Sequence, residues 1–210
     1  MRTSLFIKSV LAAAAIAAPM LATAESNVQT GAGALTATAH VDFQITIPKF
    51  LFLRVGTGTG SITPAVAFAN NAAVDLITWA PTAAQVGSGV LAGTGGDLTG
   101  GVETAIVVAN NGNVTLSSTT TGPLSDGAGD TISYATITTT ASANTTGTVL
   151  AAPALANAAT TSVTLTAVGK IVQQDAKWAY TYANATTPPA GTYGGINTNG
   201  GRVTYTASVP

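Results

Sequence analysis

The feature that most constrains the fold of this chain is a strict alternation of apolar and polar residues over positions 35–47. Every odd position in this segment is apolar and every even position is polar. A two-residue period places successive side chains on opposite sides of an extended backbone, so the segment is predicted to be a β-strand with one dry face and one wet face. The dry row consists of Leu35, Ala37, Ala39, Val41, Phe43, Ile45 and Ile47.

The alternating segment is too long for one ordinary strand. Its 13 residues would span about 43 Å at about 3.3 Å per residue, whereas strands of about five or six residues are usual. Either Pro48, which has no N–H for a ladder, ends two strands in series, or the first half of the segment leaves its own domain and pairs with another partner. The second arrangement would give the segment a role in assembly.

The first 24 residues have the pattern of a secretory signal peptide. Arg2 and Lys8 are basic, an apolar stretch follows them, and Ala22-Thr23-Ala24 has the small side chains that signal peptidase recognises. Because Pro19 interrupts a stretch already shorter than the about 20 residues that cross a bilayer, a retained membrane anchor is the weaker alternative. We therefore expect export through the periplasm to the cell surface or beyond, with residues 25–32 as a flexible lead-in.

The composition excludes some classes of partner. The chain contains no cysteine, so an exported form must be stable without disulfides. Charged residues make up 7%, against about 25% in average soluble domains, and the basic residues are too few for a nucleic-acid surface. Low charge reduces repulsion between copies and favours association, although a secreted monomer with a Thr-rich exterior is also consistent with this composition.

Short apolar or Thr-rich segments separated by Gly, Asn and Pro predict an all-β fold for residues 33–210. The strongest turn signal is Asn111-Gly112 between strands expected at 102–109 and 114–118, which predicts a hairpin. No convincing amphipathic helix is present. We expect a single domain with an antiparallel, immunoglobulin-like Greek-key β-sandwich. Further strands are expected at 50–55, 62–68, 73–79, near 90, at 131–140 with a bulge, and at 162–168, 178–182 and 202–209.

Residues that could carry catalysis or hold a metal are scarce. His40 is the one histidine, there is no cysteine nucleophile, and no Gly-x-Ser-x-Gly sequence occurs near a candidate serine, so we expect no enzymatic activity. Asp126 and Asp130 flank a Gly-rich loop, but two carboxylates are too few for a tight Ca²⁺ site. We therefore expect a plain turn there and neither a metal nor a cofactor.

Three aromatic residues alternate near the end of the chain. Trp178, Tyr180 and Tyr182 share one face of a predicted strand. Such a row could stack against sugar rings, which would make the protein a secreted carbohydrate-binding or adhesin module. The alternative is that the same face packs into the core.

Two segments near the ends of the chain resemble those of a known family. One is the strand over residues 37–47, which follows the signal peptide, and the other is Pro189-Ala190-Gly191-Thr192-Tyr193, ahead of a final alternating strand over 202–209. Together they resemble bacterial fimbrial and spore-coat-protein-U-like subunits. The resemblance implies an immunoglobulin-like sandwich that lacks one strand and is completed by the N-terminal extension of the next copy.

In that arrangement the dry row of one copy would pair with a sheet edge of another. Main-chain hydrogen bonds would supply affinity, and the alternate side chains Leu35, Ala37, Ala39, Val41, Phe43 and Ile45 would set the register. Head-to-tail exchange does not close on itself, so it would build a fibre or matrix from one kind of subunit, with a periplasmic chaperone as a candidate partner. The alternative is that the row fills a groove of its own chain and gives a complete monomer.

Overall fold

The structure is a computed structural model that describes residues 26–56, 68 and 70–210. The predicted signal peptide, and all but Phe68 of the strand predicted at 62–68, lie outside the described residues. The chain divides into two units, Met1–Ile47 and Pro48–Pro210. The first unit, described from residue 26, contains no strand or helix. An extended segment becomes a strand only when its backbone groups pair with a neighbour, and residues 26–47 hold no such pairing.

The second unit is all-β in its described residues, and its paired strands are antiparallel. A short 3₁₀ helix, Tyr134–Thr136, lies between two of the strands. No helix in the described part of the chain is long and apolar enough to cross a membrane. In chain order the strands are β1 (Leu51–Val55), β2 (Ile77–Thr78), β3 (Leu91–Ala92), β4 (Thr94–Gly95), β5 (Val102–Ala109), β6 (Val114–Thr120), β7 (Leu124–Ser125), β8 (Thr131–Ile132), β9 (Ile137–Ser142), β10 (Thr160–Leu165), β11 (Val172–Tyr182) and β12 (Val203–Ser208).

Two larger sheets share one core. The first has the order β1-β5-β11, with β3 and β9 also paired to β11, and the second has the order β10-β6-β12. Val107 of β5 and Trp178 of β11 are buried in the same cluster as Leu116 of β6 and Leu165 of β10. The rings of Trp178 and Tyr205 lie 5.3 Å apart and join β11 to β12 across the core. Two small sheets, β2–β4 and β7–β8, lie outside these layers.

The prediction of a hairpin at Asn111-Gly112 was wrong, because the two strands that flank this turn do not pair with each other. Both strands are present, but β5 pairs with β1 and β11, whereas β6 pairs with β10 and β12. The connection therefore carries the chain from one sheet to the other. Its residues bond to other segments: Asn110 Nδ2 donates to the Pro48 carbonyl at 2.8 Å, and Gly112 N donates to the Lys170 carbonyl at 2.9 Å.

Two other predicted strands differ from those observed. Residues 131–140 do not form one bulged strand, because Thr136 N donates to the Ser133 carbonyl at 3.0 Å and closes a 3₁₀ turn between β8 and β9. The shift in apolar phase at Tyr134 thus marks a helical turn. Of the strand predicted at 73–79, only Ile77–Thr78 is paired, with β4.

Candidate self-assembly surfaces

The apolar row of the N-terminal arm, defined as residues 33–47, is exposed. Phe43 is 91% exposed and Ile45 is 87% exposed. Burying a side chain of this size is favourable by about 1.5–3 kcal/mol, so covering several of them at once would strongly favour association. Contiguous exposed apolar residues of this kind mark an interaction surface. The row also includes Leu35, Ala37, Ala39, Val41 and Ile47, all of them exposed.

One side of the two-sheet core, between β9 and β10, is filled by the segment 149–157. Leu150 and Pro153 of this segment are fully buried. The segment is fixed to both sheets, because Trp178 Nε1 in β11 donates to the Leu150 carbonyl at 2.9 Å and Ser118 Oγ in β6 donates to the Ala154 carbonyl at 2.9 Å. This side of the core is therefore closed by the chain itself.

The other side of the core ends in two open strand edges. Among the described residues of the second unit, none pairs with the outer edge of β1 or of β12. Leu53 of β1 and Val203 of β12 pack against the core but are only partly buried. On β6, the strand next to β12, the core residues Val114 and Leu116 are fully buried. A further strand on this side would complete the burial of the edge residues.

The outer faces of β1 and β12 differ in how well they are covered. Phe68 stacks on β1, with its ring centroid 5.6 Å from that of Phe50 and 4.8 Å from that of Phe52. No described aromatic ring covers the outer face of β12, where Thr204 and Thr206 are exposed. β12 also contains none of the Pro, Lys or bulge features that protect edge strands from pairing. The outer face of β12 is therefore more exposed than that of β1, and β12 is the candidate edge for strand addition.

The spacing of β1 and β12 also favours addition at one edge over insertion between the two. Their Cα atoms approach within 8 Å. A strand hydrogen-bonded on both sides would need its neighbours about 9.6 Å apart, twice the usual strand spacing. The segments that flank the two strands are also joined at one end, because Lys49 Nζ, ahead of β1, donates to the carbonyl of Pro210, beyond β12. A strand that pairs with β12 alone does not require β1 and β12 to move apart.

The structure does not bring the three predicted platform aromatics to one open face. Trp178 is fully buried. Tyr180 is buried too, and its hydroxyl lies 3.1 Å from that of Tyr205. Burial raises the pKa of Tyr180 well above its ordinary value. Tyr182 is half-buried, with its ring 6.3 Å from that of Trp79. Trp178 and Tyr180 are core residues in this fold and cannot stack on a sugar.

The predicted turn at residues 126–130 is stabilised by the side-chain carboxylate of its first residue, Asp126. Asp126 Oδ1 accepts hydrogen bonds from the backbone N–H groups of Ala128, Gly129 and Asp130, at 2.8 to 3.1 Å. These bonds, the one from Ala128 first, hold the pKa of Asp126 below its ordinary value. In the part of the chain that the structure describes, no three His, Cys, Asp or Glu side chains are grouped to hold a metal ion. His40 is exposed on the arm.

The sequence did not predict two features of the structure, the open edge of β12 and the burial of Glu103. The open edge of β12 depends on strand order, which no local pattern reveals. The buried carboxyl of Glu103 had a visible signal, because it is the one charged residue in the otherwise uncharged stretch 102–109.

Comparisons with protein-family models, curated proteins and solved structures found no match to this chain.

Proposed function

We propose that this protein is an exported structural subunit of a surface fibre or extracellular matrix that assembles by β-strand exchange. The arm of one copy pairs with the open edge of β12 in another copy. The observation that carries this proposal is that one chain holds both an exposed alternating apolar arm and a sheet edge, that of β12, with which no described residue of the second unit pairs. Strand addition needs these two parts and no others.

The number of strands in each sheet supports β12 as the edge that receives the arm. The second sheet has three strands and faces a five-stranded sheet. An added strand beside β12 would become the fourth strand of the smaller sheet. Its apolar row would lie beside Val203, Tyr205 and Ala207, the core-facing residues of β12 that are only partly buried. Its polar row, including Asp42 and Gln44, would face solvent beside Thr204 and Thr206.

The path of the chain supports a finer assignment of the fold as an immunoglobulin-like Greek-key sandwich. From β5 onward the longer strands β5, β6, β9, β10, β11 and β12 belong alternately to the first and the second sheet. Each connection therefore crosses the core, as in sandwiches of this class. The proposal includes export, on the signal pattern of the first 24 residues, and a periplasmic chaperone that covers the arm and the edge until exchange.

The experiment compares charges on the two faces of the arm. Phe43→Asp with Ile45→Asp puts two carboxylates in the apolar row, and Gln44→Asp with Thr46→Asp puts two at neighbouring positions of the polar row. The full chain carrying each pair is examined by sedimentation and by negative-stain microscopy. We expect the unmodified chain and the polar-row variant to form high-mass polymers and the apolar-row variant to remain monomeric, because buried unpaired charges are costly.

The two variants have the same net charge and the same compact unit, so general repulsion cannot explain a difference between them. A monomeric unmodified chain, or equal assembly of both variants, would overturn the proposal.

A further inference from the structure

The corner where β1 ends and β5 begins, beside the β2–β4 sheet, contains three carboxyl groups. Glu103 lies in β5, Asp75 precedes β2 and Asp97 follows β4. Glu103 is only 5% exposed. We call this group the acidic corner. Asp75 and Asp97 are half-buried, so like-charged groups from three parts of the chain meet at one buried carboxyl, an arrangement that needs a compensating interaction.

Hydrogen bonds join the three groups. Glu103 Oε2 accepts from the backbone N–H of Asp97 at 3.3 Å, and Asp97 Oδ1 accepts from Thr104 N at 2.8 Å. Asp75 Oδ2 and Glu103 Oε2 also lie near each other, because each is within 2.6 Å of the place that a Cβ on Gly56 would take. A hydrogen bond between two carboxyl groups requires a proton on one of them, because ionised carboxylates only accept. The corner is therefore complete only while it holds that proton.

Gly56 allows these carboxyl groups to meet. A Cβ at this position would lie 2.4 Å from Asp75 Oδ2 and 2.6 Å from Glu103 Oε2, so both oxygens occupy the space that any other residue would fill. Gly56 N donates to the Thr104 carbonyl at 2.8 Å, which holds the end of β1 against β5. The contact between Asp75 and Glu103 is thus fixed at the end of β1.

Few other titratable groups face Glu103. The tyrosines Tyr180 of β11 and Tyr205 of β12 are close enough for its charge to affect them. Arg54 of β1 alternates with the core-facing Leu53 and Val55, so it belongs to the opposite face of its strand. Burial, followed by the negative charges of Asp75 and Asp97, raises the pKa of Glu103 to about 8, although the backbone N–H of Asp97 acts in the other direction.

We propose that Glu103 and Asp75 share a proton in the folded protein, and that this proton holds the β2–β4 sheet against the ends of β1 and β5. Loss of the proton leaves the buried carboxylate of Glu103 beside the carboxylate of Asp75, and the corner opens. The device is a pH-sensitive contact within a single copy. It does not depend on strand exchange, so its failure and that of the proposed assembly are separate outcomes.

The direction of the pH effect follows from linkage. In the unfolded chain Glu103 loses its proton near its ordinary pKa of 4.5, whereas in the folded chain it keeps the proton up to about pH 8. Between these values the folded chain binds one more proton. The contribution of Glu103 therefore raises the unfolding equilibrium constant about tenfold for each unit of rising pH, and this increase stops above the folded pKa.

The first test titrates the group directly. The sequence contains only two glutamates, Glu25 and Glu103, so glutamate labelled with ¹³C at the carboxyl carbon gives two NMR signals. The spectra are recorded on the chain with Phe43→Asp and Ile45→Asp, so that assembly does not broaden the signals. We expect the signal of Glu103 to have its midpoint near pH 8. Asp75→Asn should lower the upper midpoint, and Asp130→Asn, a change at an exposed turn residue, should not. A spectrum in which neither glutamate signal has a midpoint near pH 8 would overturn the proposal.

The second test follows the opening of the corner. Of the two tryptophans, Trp178 is fully buried, so acrylamide quenching of fluorescence reports on Trp79, which lies next to β2. We expect quenching to increase above pH 8 in the unmodified chain and to stay constant in Glu103→Gln, which cannot ionise. If Glu103→Gln does not fold, Asp75→Asn replaces it, with the increase expected at lower pH. Quenching that is constant in the unmodified chain, or that increases equally in the variant, would contradict the proposal.

Discussion

The indole N–H of Trp178 donates a hydrogen bond to the Leu150 carbonyl at 2.9 Å, and both residues are fully buried. This bond holds the segment that closes one side of the core. The opposite side has no such segment among the described residues of the second unit, and its edges, β1 and β12, are open. The proposed assembly depends on this difference between the two sides.

Trp178→Phe should destabilise the protein by about 2–4 kcal/mol, because it leaves the buried Leu150 carbonyl unpaired and creates a cavity. Trp79→Phe is the matched control, since Trp79 Nε1 has no hydrogen-bond partner among the residues that the structure describes. We expect the control to cost less than about 1 kcal/mol. Urea unfolding of both variants measures the difference, and equal losses would show that the indole bond contributes little.

Asp175→Asn should also be strongly destabilising. The buried carboxylate of Asp175 accepts hydrogen bonds from the backbone N–H and hydroxyl of Thr146, at 2.8 and 2.6 Å, and from Asn144 Nδ2 at 3.0 Å. An amide turns one acceptor into a donor that faces these donors, at a cost of about 3 kcal/mol. Asp130→Asn, at an exposed turn residue, is the control and should change the free energy of unfolding little.

Asp175 should also contribute to acid sensitivity. Burial alone would raise its pKa, but the hydrogen bonds from Thr145 and Thr146 outweigh burial and the pKa lies below the ordinary value of 3.8. A lowered folded pKa gives stability that is present above the ordinary value and is lost as the pH falls through the folded one. Unfolding measured from pH 5 to about pH 2 should therefore show a steeper loss in the unmodified chain than in Asp175→Asn. Parallel curves would contradict this account.

Gly101→Ala should be far more damaging than Gly100→Ala. Both glycines have positive φ, +71° and +82°, so alanine is strained at either position. A Cβ at Gly101 would lie 2.5 Å from the Cα of Gly93, whereas one at Gly100 would have no neighbour within 4 Å. We expect a loss of about 1 kcal/mol for Gly100→Ala and at least about 3 kcal/mol for Gly101→Ala, measured by urea unfolding. Similar losses of stability in the two variants would mean that the backbone of Gly93 can move away from a side chain at residue 101.

Local patterns identified most of the longer strands but not their partners. The bounds of β5 follow from its apolar composition, and those of β12 follow from its alternation. Asn111-Gly112 indicates a turn equally well within a sheet and between sheets, and only the bonds from Asn110 and Gly112 to distant segments decide between them.

The functional surfaces were predictable to different degrees. The apolar row of the arm is visible in the sequence because its period is local. The alternation of Trp178, Tyr180 and Tyr182 indicates a common face but does not tell whether that face is core or surface, since strand order decides it. The acidic corner combines residues from three elements, so the sequence shows Glu103 but not its neighbours.

The central claim, that the arm of one copy pairs with β12 of another, is tested most directly by disulfide trapping between separately prepared chains. The protein has no cysteine, so introduced thiols are the only ones present. One set of chains carries Asp42→Cys or Gln44→Cys in the polar row of the arm, and the other carries Thr204→Cys or Thr206→Cys on the outer face of β12. Two cysteines form a disulfide only when their Cα atoms lie within about 7 Å, close to the distance across paired strands.

Mixing one chain from each set under mild oxidation should yield covalent dimers. Moving the arm cysteine by two residues should shift the best β12 partner by two, as a single strand register requires. No dimer from any mixture, or dimers formed equally at all positions, would contradict strand exchange at β12.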